Sequence, residues 1–145
     1  MRWFTLIPAI CAATPAFAAA ECYDRIVTAT IAAQVPVSLP EPADGSIVMH
    51  WPWFVDLVIE KPRGGIERIT AQTLRHTYFR RGLRGRWLLR QNSMGSYNAR
   101  WKADERGARR CARNAPPAQA YLGAENRDAL DQRRREGEAR YGVRN

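Results

Sequence analysis

The sequence predicts a small, mainly β domain. The expected form is an antiparallel meander sheet or barrel of about five to six strands, clipped by one disulfide, with a polar C-terminal helix or disordered tail. Three observations predict it. Ile47, Met49, Trp51, Trp53, Val55, Leu57 and Ile59 recur at every second position, the period of a strand with one buried face. Short β-branched and aromatic runs alternate with Gly- and Pro-rich turns along 25–103. Two cysteines, Cys22 and Cys111, fall near the two ends of that region.

The first residues set the compartment. Arg2, an apolar stretch over 3–13 and the triplet Ala16-Phe17-Ala18 have the layout of a secretory signal peptide, bacterial in style, spanning 1–18. Ala18-Ala19-Ala20 permits an alternative cut after residue 20. Cleavage removes Cys11 and sends the remaining pair to a periplasmic or secreted setting where thiols oxidise, so Cys22 and Cys111 are expected to be bridged. After residue 20 no stretch is long and apolar enough to span a bilayer, so no transmembrane segment is expected in the mature chain. The exported β domain is expected over 19–113 and the tail over 114–145.

In chain order, 25–32 is β-branched and reads as a strand, and Pro36, Pro40 and Pro42 mark a loop over 34–45. The alternating run follows. Pro52 lacks an N–H, which places that strand at an edge or bends it there. A turn at 61–65 leads to one or two strands over 66–80. Gly82 and Gly85 bracket the next turn, and 86–91 and 97–103 read as a hairpin around Asn92 to Ser96. Asp104 is placed to cap a short helix reaching Cys111. Pro116 and Pro117 then break the pattern, and the tail carries opposite charges near each other, Asp131 with Arg135 and Glu136 with Arg140.

The chain carries 23 Lys and Arg against 14 Asp and Glu, a net charge of +9. The excess is concentrated: residues 75–113 hold 12 basic and 2 acidic side chains. Codon usage in a GC-rich genome accounts for many arginines without a function. Strand parity nevertheless turns Trp87 and Leu89 to one face of the hairpin, and Arg86, Arg90, Arg100 and Lys102 to the other. Four cations on one face repel unless an anion sits among them. Arg80, Arg81 and Arg84 are placed to rim the same surface. This arrangement points to a non-enzymatic binding protein whose partner is an anionic envelope component (lipid phosphate, lipopolysaccharide or acidic glycan) or an acidic protein. Nucleic acid is disfavoured, because the nearby rings point inward rather than among the cations. A second reading is an adaptor or inhibitor that pairs through the edge strand at Pro52 and Phe54.

No cofactor, metal or catalytic motif is expected. His50 and His76 lack spaced ligand partners, Glu60 and Glu67 are an acid pair of the kind chance supplies, and no nucleophile elbow or phosphate loop is present. A small hydrolase is the least supported class.

Overall fold

The structure is a computed structural model that describes residues 21–40, 43–46 and 50–145. The expected signal peptide, Ile47 and Met49 lie outside these residues. The elements are β1 (Arg25–Pro36), β2 (Trp51–Glu60), β3 (Ile66–Arg75), β4 (Arg84–Gln91), β5 (Tyr97–Trp101), a 3₁₀ turn (Lys102–Asp104) and α1 (Arg127–Tyr141).

Five strands close into a barrel in the order β1-β2-β3-β5-β4. The expected meander holds across β1, β2 and β3. β4 then returns to lie beside β1, which gives the spatial order 4-1-2-3 of a Greek key. Closure falls to β5, which runs antiparallel to β4 and parallel to β3 at Ala71↔Tyr97 and Gln72↔Asn98. β4 and β5 together close the sheet, and only the start of β1, before Ala29, lacks a strand on its β2 side.

The alternating residues fill the barrel. Val55, Leu57 and Ile59 of β2 pack with Val27, Ala29, Ile31, Trp87 and Leu89. Trp87 meets Phe79 and Trp101 edge to face at 5.1 Å each. Gly85 is required here, since a methyl group would overlap the Trp101 ring. β1 changes face midway. A bulge between Ile31 and Ala33 inserts one residue, so Gln34 turns inward and Val35 turns out.

That switch makes a second apolar cluster on the outer surface, where Val35, Val37 and Phe54 pack under Leu130 of α1. The tail is therefore helical and docked. Asn126 caps α1 by accepting from the Ala129 N–H at 2.9 Å. Gly137 lets the helix approach β1 so closely that a methyl there would overlap the Pro36 carbonyl oxygen. In place of the expected pairs the helix carries Arg133–Glu136 and Arg134–Glu138, and Arg134 also reaches Asp56 of the barrel.

Cys22 and Cys111 are bridged, with Cα atoms 4.9 Å apart. The helix expected from Asp104 to Cys111 is absent beyond the single 3₁₀ turn. The backbone there pairs elsewhere: Tyr23 N–H donates to the Arg109 carbonyl at 2.9 Å and Cys111 N–H to the Tyr23 carbonyl at 2.8 Å.

Candidate functional site

The hairpin forms as expected, and parity sends Trp87 and Leu89 inward. Two stretches of chain, 21–24 and 105–121, cover the part of its outer face that holds Arg90 and Arg100. Arg90 is only 6 % exposed; it donates to Asp24 at 2.7 Å and to the Pro116 carbonyl. Arg100 donates to Glu105 at 3.1 Å and to the carbonyls of Glu21 at 2.6 Å and Cys22 at 3.3 Å. Between them Asn98 donates to the Gln119 carbonyl at 2.9 Å. These cations bind their own chain. Arg84 is held by Glu60 at 2.6 and 2.7 Å, and Lys102 donates to the Glu105 carbonyl at 3.3 Å. Arg80, Arg81 and Arg86 stay exposed, with no carboxylate partner among the described residues. Parity tells which side of a sheet a residue takes, not whether that side is covered. The complementary acids Glu21, Asp24 and Glu105 were the signal for the cover.

The edge-strand surface is also corrected. β2 is paired with β1 on one side and β3 on the other. Pro52 accepts from the Val37 N–H at 3.1 Å, and Phe54 is 3 % exposed beneath α1. Glu60 and Glu67 do not form an acid pair, since Arg84 holds the first and Arg25 the second. Among the described residues no group of three His, Cys, Asp or Glu side chains gathers to hold a metal ion.

A different site assembles at the end of the barrel where β2 starts and β3 stops. Tyr78 is the wall shared by two open lobes. One lobe, about 320 Å³, is lined by Pro36, Trp51, Trp53, His76 and Tyr141. The other, about 460 Å³, is lined by Gln34, Phe79, Arg81, Val143 and Arg144. Trp53 packs edge-on against Tyr78 at 4.4 Å, and the Arg144 guanidinium lies 4.3 Å from the Tyr78 ring centre. The indole N–H groups of Trp51 and Trp53 are spent on the Val37 and Arg75 carbonyls, so each ring is fixed in place.

Gln34 organises this end. Its backbone exchanges hydrogen bonds with Arg144 at 2.8 and 3.1 Å, while its buried amide side chain binds both the N–H and the carbonyl of Phe79, at 2.9 and 3.0 Å. One residue thus ties the 76–83 loop and the chain after α1 to β1. The cations Arg81 and Arg144 have no carboxylate partner among the described residues. Of this site, sequence reasoning reached only Arg81; it missed Tyr78 because 74–80 reads as the continuation of a strand. The run His76-Thr77-Tyr78-Phe79-Arg80-Arg81, rings beside cations next to Gly82, was the available signal. No protein-family model, curated protein or solved structure matches the chain.

Proposed function

We propose that the protein is an exported, non-enzymatic binding module that holds an acidic glycan in the cleft around Tyr78. The observation that carries this reading is the pairing of an aromatic lobe with a lobe, reaching Asn145, whose two guanidinium groups form no ion pair among the described residues. Partly exposed rings offer flat apolar surface to the C–H face of a sugar, and guanidinium forks match carboxylate or phosphate. The disulfide supports an oxidising compartment, where acidic glycans are abundant and nucleic acid is scarce. The net charge of +9 favours fast association with such a polyanion.

Titration with oligogalacturonate, followed by tryptophan fluorescence, tests the reading. Binding is expected at low salt, weakening as salt rises, with a change in emission from Trp51 and Trp53. The Arg81→Glu/Arg144→Glu variant should lose at least tenfold in affinity, about 1.4 kcal/mol. Arg86→Glu, on the outer face of β4, should bind like the parent apart from a small field effect. A fluorescence response unchanged by the double reversal would sink the proposal. Preference for anionic phospholipid vesicles or polyphosphate over the glycan would redirect it to a phosphate partner.

A further inference from the structure

The opposite end of the barrel contains a strand edge that the chain leaves without a partner. β1 pairs with β4 from Arg25 onward, but with β2 only from Ala29. Residues 25–28 therefore have a strand on one side alone. Ile31 donates its N–H to Leu83 on the β4 side, and backbone groups alternate from side to side along a strand. Ile26 accordingly aims its N–H and C=O groups, and Thr28 its N–H, into the gap, while the Thr28 carbonyl faces the Glu60 N–H at the end of the β1–β2 ladder.

The gap has defined ends. On one side the β1–β2 ladder stops at Ala29↔Ile59. Continuing the register would set Ile26 opposite Pro62, which has no N–H to give. The Lys61 N–H bonds to the Gly65 carbonyl instead, turning β2 away. On the other side, the segment carrying Arg110 pairs with Tyr23. Between them lies an open cleft of about 700 Å³ that includes Val27, Ile59, Lys61 and Arg110 in its lining. Four residues of strand edge amount to roughly 13 Å, enough for a short extended peptide.

The charges around the gap choose its occupant. Three carboxylates line it, and each is engaged within the chain: Asp24 by Arg90 and the Gln91 N–H, Glu60 by Arg84, and Glu67 by Arg25. Lys61 and Arg110 form no ion pair among the described residues, Lys61 acting on Glu67 only at longer range. We propose that this gap receives an extended acidic segment of a partner protein, which adds as a strand beside 25–28 with its carboxylates on Lys61 and Arg110. The site is separate from the Tyr78 cleft and does not depend on it.

The test uses the full oxidised protein and the capped peptide Glu-Val-Glu-Val-Glu. Binding is expected to slow amide exchange at Ile26 and Thr28 at least fivefold, with no change at Tyr78. Lys61→Glu/Arg110→Glu should abolish that protection. Both side chains are exposed, and the milder Lys61→Gln/Arg110→Gln variant, checked for an unchanged unfolding midpoint, should weaken it. A Lys-Val-Lys-Val-Lys peptide should not bind. The proposal is overturned if the acidic peptide fails to bind, or if it binds without protecting Ile26 and Thr28. Full binding by a peptide N-methylated at alternate residues in both registers would overturn it too, as would protection of the same amides by self-association without peptide.

Discussion

At the scale of single residues, Gln34 shows how much one buried amide can organise. Gln34→Ala removes the partners of a buried N–H and a buried carbonyl on Phe79. The expected loss is about 2 kcal/mol, read as a lower urea midpoint, with faster amide exchange across 76–83. Gly137→Ala should cost about 1–3 kcal/mol, because the new methyl group meets backbone rather than a side chain that can yield. Its signature is a lower midpoint with the barrel's near-ultraviolet spectrum retained. Neither role is legible in the sequence. Gln34 sits among loop-forming prolines, and only the bulge after Ile31 turns it inward. Arg86 and Arg90 share the same parity, yet one is exposed and the other buried, because the covering segment reaches only the second.

Among the elements, α1 is the one whose attachment rests most on polar contacts. Its buried residues are Leu130 and Gly137, and Arg134 clamps Asp56 of β2 at 2.7 and 2.6 Å while also meeting Glu138 at 2.8 Å. Burial alone would raise the Asp56 pKa, but hydrogen bonds from Arg134 and Thr70 outweigh it and hold the carboxyl below its ordinary value of 3.8. The contribution of this ionised carboxylate is complete above that ordinary value. It is lost as the pH falls through the lower folded value. Hydrogen exchange in α1 should therefore accelerate relative to the barrel core as the pH is lowered from about 6 to below the ordinary carboxyl value of 3.8, after correction for intrinsic rates. Asp56→Asn should already show the looser helix at the higher pH and a flatter response.

The strands themselves were largely readable: the period-two run of β2, the turns at 61–65 and 92–96, and the hairpin of β4 and β5 all follow from local patterning. What local patterning lacks is information about which distant element covers an outward face. It also misses how a sheet closes, because the parallel β3–β5 contact joins residues 26 positions apart across the 76–83 loop and β4.

For the molecule as a whole, two coverings and one bridge share the task of holding a basic chain together. α1 lies over one outer face of the barrel, and the stretches joined by Cys22–Cys111 lie over another. The bridge spans a sequence separation of 89, and chain-entropy arguments value a loop of that size at roughly 4–5 kcal/mol. Cys22→Ser/Cys111→Ser should lower the unfolding free energy by an amount of that order. The first region to gain hydrogen exchange should be the cover over Arg90 and Arg100, ahead of the barrel interior. Equal stability of the parent and the double-serine variant would show that the cover holds without its clip.

The same bridge imposes an order on biogenesis. Translation delivers Cys22 before any strand exists, and its partner only after all five strands have been made. Throughout that interval the Cys22 thiol lacks its native partner and is open to mixed disulfides with whatever thiols surround it. Yield of correctly folded protein should therefore depend on how quickly a wrong sulfur partner can be exchanged away, a kinetic demand that falls on the host's thiol chemistry rather than on the barrel.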